Sequence, residues 1–290
     1  MPGLVQIESE ERETIRVFPE RNQWTPTDSL VFTGPPPLPQ FRPTDKNTPV
    51  FVSVTFTWHR AYAEQLAQMW RAHYGNVRIG GPAYDDPGGE FTPGRFLKIG
   101  CTITSRGCPK KCGWCKVPFS EGNLRELRAI QPGWIVQDNN LLACSRPHLE
   151  RVFSMLRQQG KRIFFNGGLD KHFLQSWHRE LFDSISIGEL WFACDIGGTD
   201  LGHLERAAKI LDGIPKSKWR CYTMVGYDGE TIEQAEARIR SVYQLGFLPF
   251  SQLYQPPTAD RPTKLYPLEW KHMNRKWSRP AIYKSTEVRA

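Results

Sequence analysis

From residue 97 onward the chain keeps a rhythm that few folds can satisfy. Apolar stretches suited to strands start near Leu97, Gly133, Arg162, Glu189, Trp219 and Phe247, at steps of 27 to 36 residues. About 30 residues is the length of one strand, one crossover helix and two loops. Helical patterns fill the gaps. Leu149, Val152, Phe153 and Leu156 follow a Ser145 cap with Pro147 in the first turn. Ile232, Ala235, Ile239 and Val242 follow a capping box of Thr231 and Gln234. Leu201, Leu204 and Ala208 fit a third helix. Alternating strands and helices predict an α/β fold with a parallel sheet. Six units cannot close as an eight-stranded barrel does, so residues 94–258 are expected to form an open, partial (βα)6 TIM-like barrel. Its functional face should be the carboxyl ends of the strands.

The flanks differ in character. Residues 1–46 are polar and proline-rich, with Gly34-Pro35-Pro36-Pro37-Leu38-Pro39 near their end. They are expected to run extended and to wrap the fold rather than form a core. Residues 47–93 predict a small βαβ cap: a strand over 50–57, a helix over 59–73 carrying Ala61, Leu66, Met69 and Trp70, and a short strand at Val77–Ile79 closed by Gly80-Gly81-Pro82. Residues 259–290 read as a packed basic tail with Trp270, Trp277 and Tyr283.

Hydrophobic residues make up 39% of the 290, an ordinary globular share once glycine is added. No uncharged apolar run approaches the ~18 residues of a membrane span, and the acidic start MPGLVQIESEERE is no secretory signal. A cytoplasmic protein without membrane attachment is expected. The net charge of +8 is concentrated: residues 94–128 carry +6 and residues 259–290 carry +5, leaving about −3 elsewhere. Two basic patches suit an anionic substrate or nucleic acid as well as a solvated surface.

Three of the seven cysteines fall within eight residues, in Cys108-Pro109-Lys110-Lys111-Cys112-Gly113-Trp114-Cys115, directly after the first strand of the repeat. Cys101, Cys144, Cys194 and Cys221 are scattered and suit a buried core. Three thiolates on one loop can hold three corners of a 4Fe–4S cluster, which ordinarily takes four. The fourth iron then keeps an open coordination position, the mark of a catalytic rather than a structural metal. Zinc is the rival, with Cys144 or His148 as a fourth ligand.

The C-x3-C-x2-C loop, with Trp114 before its last cysteine, resembles the signature of the radical S-adenosylmethionine superfamily. Later segments resemble that family at successive strand ends, over about residues 97–257. Asp138-Asn139-Asn140 resembles the motif that receives the methionine amino group. Asn166-Gly167-Gly168 resembles a cofactor-lining turn. Asp195, within Cys194-Asp195-Ile196-Gly197-Gly198, stands where an acidic ribose-binding residue is common. Gly226-Tyr227-Asp228-Gly229-Glu230-Thr231 resembles a Gly-x-Pro-Gly-Glu-Thr turn, with Asp228 in place of proline. The resemblance implies that Cys108, Cys112 and Cys115 ligate a 4Fe–4S cluster and that Trp114 packs against the cluster or adenine. It further implies that the open iron chelates S-adenosylmethionine, which one electron splits to methionine and a 5′-deoxyadenosyl radical that takes hydrogen from a substrate. The electron would come from a donor such as flavodoxin or ferredoxin, for which Arg106, Lys110, Lys111 and Lys116 offer a docking surface. Tyr222, Gln252 and Tyr254 lie on later strands as candidates to face the substrate. His148, His172, His178 and His203 fall in predicted helices and are expected to be structural.

Absences narrow the branch. No cysteine follows Cys221, against a second cluster, and residues 1–96 contain none, against the methylthio-transferring branch. The βαβ cap resembles a remnant of a cobalamin-binding domain, but the Asp-x-His-x-x-Gly loop is missing, so no cobalamin is expected. The layout, with Trp277-Ser278-Arg279-Pro280 in the tail, resembles uncharacterised radical enzymes of phage and prophage genomes. Together with the basic patches this suggests a nucleotide or DNA-base substrate and an isomerase-type rearrangement. The competing expectation is a zinc- or cluster-stapled nucleic-acid-binding module without catalysis, in which Trp270, Trp277 and Tyr283 serve as stacking platforms. A third is a cluster-bearing barrel that has lost its radical role.

Overall fold

The computed structural model describes residues 14–86, 88–195, 199–256 and 265–287. Two parallel sheets organise them. The first has the order β2-β1-β3-β4, built from β1 (Ile15–Phe18), β2 (Val31–Thr33), β3 (Val50–Ser53) and β4 (Val77–Gly80). Every neighbouring pair is parallel. Helix α1 (Arg60–Arg71) joins β3 to β4 and buries Ala63, Leu66, Ala67 and Trp70 against Ile15, Val17, Val50 and Val52.

This corrects the reading of residues 1–46 as an extended arm. β1 lies inside the sheet, with Ile15 and Val17 wholly buried, so a boundary at residue 46 would cut through a core. Runs of four and three residues are too short to announce themselves by alternation. The proline stretch does pack: Gly34 O accepts a 3.1 Å hydrogen bond from the Trp70 indole.

The second sheet follows chain order, with β5 (Cys101–Thr102), β8 (Ile135–Val136), β9 (Ile163–Phe165), β10 (Ile187–Ala193), β11 (Trp219–Val225) and β12 (Leu248–Leu253) side by side. All five pairings are parallel. The sequence rhythm thus locates six strands, with one shift. The first begins at Cys101 rather than Leu97, because Gly100 turns the chain at φ 97° and packs on the Trp134 ring.

The first crossover departs most from expectation. It holds no long helix, only an antiparallel hairpin of β6 (Ser105–Arg106) and β7 (Arg125–Glu126) around the four-residue α2 (Val117–Ser120). The later connections are α3 (Arg146–Gln158), α4 (His178–Asp183), α5 (Thr199–Ile210) and α6 (Ile232–Gln244). Ser145 caps α3, and Thr231 and Gln234 form the expected capping box on α6. The tail folds into α7 (Leu268–Trp277) and α8 (Pro280–Glu287), which pack on β11, β12 and α6 through Met273, Trp277 and Tyr283. Trp277 and Tyr283 are wholly buried and stacked at 5.3 Å. They therefore cannot be nucleic-acid stacking platforms; apolar ring area is worth more inside, at about 25 cal/mol per Å2. No helix among the described residues is long and apolar enough to cross a membrane.

The two faces of the second sheet differ. Phe165, Leu190, Phe192, Cys194, Trp219 and Cys221 point into the helix-covered core. The alternate positions, Asn166, Glu189, Trp191, Arg220, Tyr222, Phe250 and Gln252, occupy the other face and are less buried.

Candidate functional site at the carboxyl end of the second sheet

The cysteine loop leaves β6 at the carboxyl end of the sheet and returns at β7. Its bend needs glycine: Gly107 has φ 73°, and a Cβ there would lie 2.3 Å from Asn123 O. Glu121 ties the loop inward, accepting from Gly107 N at 2.9 Å and from Asn139 Nδ2 at 2.8 Å. The far side of the loop rests on the turn after β11. The Trp114 ring meets Tyr227 edge-on at 5.5 Å, and a Cβ on Gly113 would stand 3.1 Å from the Tyr227 hydroxyl.

Cys108, Cys112 and Cys115 are half-buried free thiols. Burial pushes Cys112 above its ordinary range against the pull of Lys110, and burial does the same to Cys115. Charge on Cys108 and Cys112 also raises Cys115, so the thiols share one neighbourhood. Among the described residues no three Cys, His, Asp or Glu side chains are gathered into a metal-holding cage. The donor set nevertheless suits a cluster held at three corners. Cys144 sits in the core with its thiol pushed to about 12 by burial, beside Ser105 and Asp138. His148 faces Thr104 Oγ1 at 3.4 Å and Glu126 at 3.8 Å. The two residues expected as a fourth zinc ligand thus face Thr104, Ser105, Asp138 and Glu126, at β6 and β7 and the end of β8.

The residues after β8 divide their roles. Asp138 is buried, and its carboxylate accepts from Thr104 N at 3.0 and 3.1 Å, Thr104 Oγ1 at 2.7 Å and Ser105 Oγ at 2.6 Å. Burial pushes this carboxyl up and the four hydrogen bonds pull it down. The Asp138 side chain is a clamp that fixes the start of the cysteine loop to β8. Asn140 is the outward-reaching member. Its Nδ2 donates to Cys108 Sγ at 3.3 Å and to Asp170 Oδ2 at 3.2 Å, while its buried Oδ1 has no partner.

After β9, Gly167 is a packing residue: a Cβ would lie 2.2 Å from Asp138 O. Gly168, at φ 116°, has only Asn139 O near its missing Cβ, at 4.0 Å. The buried Oδ1 of Asn166 has no partner, and its carbonyl accepts from the Tyr222 hydroxyl at 3.2 Å. After β10, Asp195 accepts from Met224 N at 3.1 Å, and its charge acts to raise the thiols of Cys112 and Cys115. Burial raises its carboxyl. Ile196, Gly197 and Gly198 lie outside the described residues. Buried Arg238 joins this edge from behind, donating to Cys194 O at 2.6 Å, Met224 O at 2.8 Å and the Glu230 carboxylate. Asp228 adopts φ 54°, which a proline cannot, so the turn departs in shape as well as sequence from the pattern it resembles. Tyr254 meets Tyr227 edge-on at 4.8 Å, and Gln252 is exposed.

Sequence reasoning missed one cluster. His172 lies in a turn, not a helix. Its Nδ1 is 2.7 Å from Asp170 Oδ1 and 3.0 Å from Lys110 Nζ, and its ring packs on His203 at 4.2 Å. Burial works to raise the Asp170 carboxyl, but the His172 and Lys110 contacts hold it below its usual range. Lys171 pairs with Asp200 at 3.0 Å. The position of 170–172 just after a strand was the available signal. The same contacts limit the expected docking surface: Lys110 pairs with Asp170 at 3.5 Å, Lys116 pairs with Asp85 at 3.1 Å, and Arg106 packs on Gly88.

The sequence matches no protein-family model, and a search of the curated proteins returns no significant relative.

Proposed function

We propose that this chain is a radical S-adenosylmethionine enzyme with a splayed partial barrel, and that Cys108, Cys112 and Cys115 ligate a 4Fe–4S cluster. The observation that carries the reading is the placement of a three-cysteine loop at the carboxyl end of the first strand of a sequentially ordered parallel sheet. When bound, the cluster supplies the electron that splits S-adenosylmethionine to a hydrogen-abstracting 5′-deoxyadenosyl radical.

The chain's own residues orient and shield. Asn140 donates to Cys108 Sγ, and its unpartnered Oδ1 is suited to accept from an amino N–H of the bound cofactor. Asp195, at the carboxyl end of β10, is suited to accept from a ribose hydroxyl. Gly168 leaves room at the turn after β9. Trp114 and Tyr227 wall the loop on the β11 side and exclude water. Asp138 and Glu121 hold the loop rather than the ligand.

The test is anaerobic reconstitution with iron and sulfide, followed by reduction with dithionite in the presence of S-adenosylmethionine. Three to four irons per chain, a 4Fe–4S absorption and paramagnetic signature, and release of 5′-deoxyadenosine are expected, all lost in Cys112→Ala. Zinc retention with no cofactor cleavage, or full cleavage by Cys112→Ala, would overturn the proposal.

A further inference from the structure

Two carboxamides stand next to each other on the helix-free face of the second sheet, each with a buried atom lacking a partner: Gln137 Nε2 and Asn166 Oδ1. Their proximity follows from register. Val136 pairs with Phe165, and both point into the helix-covered core, so the next residues of each strand turn to the opposite face. Asn166 N still donates to Val136 O at 3.0 Å there. Adjacent strands are about 4.8 Å apart, close enough for one small ring edge to meet both amides.

The same row continues into an aromatic surface. Phe165 pairs with Leu190, which puts Trp191 beside Asn166, and Ala193 pairs with Tyr222. The Trp191 and Tyr222 rings stack at 4.3 Å and 28°, and Phe250 meets them edge-on at 5.7 and 6.1 Å. All three are partly exposed. The platform is held in place: Glu189 accepts from the Trp191 indole at 2.8 Å and from Arg220 at 2.8 Å, and Tyr222 donates to Asn166 O. Burial pushes the Tyr222 phenol to about 12, so it remains a donor across the working pH range.

An unpartnered buried amide is costly, and two in one row beside a fixed aromatic stack are unusual for a surface with only a packing role. A carboxamide offers both a donor and an acceptor, and rotation about its last bond exchanges them. Beside a stacking surface, such a pair is complementary to a flat ring that carries an acceptor and a donor side by side on its edge. We infer that this face binds a nucleobase, with Gln137 and Asn166 reading the ring edge and Trp191 and Tyr222 supplying the stack. Asparagine and glutamine read bases in this way, and stacking on aromatic rings is sequence-tolerant. The inference rests on the proposed function for its meaning as a substrate site, but not for the binding itself.

Binding is measured by calorimetry on the anaerobic full-length protein. Thymidine, cytidine, adenosine, guanosine and a ten-nucleotide single strand are compared with p-cresol, which stacks without an amide edge. A base other than adenine should bind, with p-cresol weaker by tenfold or more, and binding of adenosine alone overturns the inference; the nucleoside and oligonucleotide arms tell a free base from one in a strand. Gln137→Leu and Trp191→Leu should each weaken base binding roughly tenfold, and Gln137→Leu should not lower the unfolding midpoint, because it relieves the buried Nε2 that has no internal partner. Absence of any base binding, or binding unchanged in both variants, overturns the inference. Release of 5′-deoxyadenosine is followed in parallel. Cofactor cleavage without base binding removes this inference alone, and base binding without cleavage removes only the proposed chemistry.

Discussion

Replacing Asp138 separates a clamp from a cofactor contact. Its carboxylate takes four hydrogen bonds from Thr104 and Ser105, at 2.6 to 3.1 Å, in a fully buried setting. In Asp138→Ala the two hydroxyls can rotate toward other acceptors, but the Thr104 N–H cannot. A hydrogen bond to a charged group is worth about 1.5–3 kcal/mol, and a stranded buried donor costs about 1–3 kcal/mol. Release of the carboxylate from an apolar setting offsets part of this. The net loss expected is about 3 kcal/mol for Asp138→Ala and about 1–2 kcal/mol for Asp138→Asn, which keeps one carbonyl for the N–H. Urea unfolding of the protein without added cofactor should show both losses as shifts in midpoint at constant slope. Iron loading should fall with them, since the clamp anchors the first residues of the cysteine loop. If Asp138→Asn unfolds like the wild type and only its affinity for S-adenosylmethionine drops, the carboxylate is a ligand contact and the clamp argument is wrong.

Four further outcomes follow from the packing. Gly167→Ala should unfold the carboxyl edge, because its Cβ would stand 2.2 Å from Asp138 O, whereas Gly202→Ala, with open space in α5, should stabilise by about 0.5–1 kcal/mol; thermal melts distinguish the signs. Asp228→Gly should raise the melting temperature by relieving about 1 kcal/mol of left-handed strain, while Asp228→Pro should lower it. Trp277→Ala should cost about 3–5 kcal/mol and release the α7–α8 pair, seen as faster proteolysis of the C-terminal segment. Burial acts to raise the Glu236 carboxyl, but hydrogen bonds from Lys276 and Trp277 hold it below its ordinary 4.5. Its stabilisation is therefore present above about pH 4.5 and is lost as pH falls through the lower folded value. Tryptophan fluorescence should report acid loosening of α7, absent in Glu236→Gln.

What the sequence reveals depends on how local the cause is. The caps at Ser145 and Thr231 and the strands at Arg162, Glu189, Trp219 and Phe247 were legible because a few neighbouring residues decide them. β1 and β2 were not, because three or four residues become strands only when a distant partner such as β3 completes the ladder. The site shows the same division. The spacing of Cys108, Cys112 and Cys115 is contiguous and visible. The assignment of Asp138 to a clamp and Asn140 to the thiol depends on contacts 32 to 34 residues away, which a motif cannot encode.

That division also explains how one short motif can hold both support and chemistry. At the end of a strand successive side chains leave on opposite sides. Asp138 turns toward Thr104 and Ser105 and Asn140 toward Cys108 and Asp170, with Asn139 bonded to Glu121 of the loop. Three adjacent residues thus brace the cysteine loop at three points, and the last keeps a buried polar atom without a partner, Asn140 Oδ1. A rigid loop with one unmet acceptor is what a site needs if it is to orient a small charged group without rebuilding itself on binding. Asn140→Ala should therefore leave the unfolding midpoint near that of the wild type, since Asp170 keeps its partners in His172 and Lys110 and a thiol is only a weak acceptor. It should raise the concentration of S-adenosylmethionine needed for half-maximal cleavage by about tenfold, the weight of one hydrogen bond. A variant that loses stability instead, with unchanged cofactor affinity, would place Asn140 with Asp138 as part of the scaffold and leave the proposed amino contact without its residue.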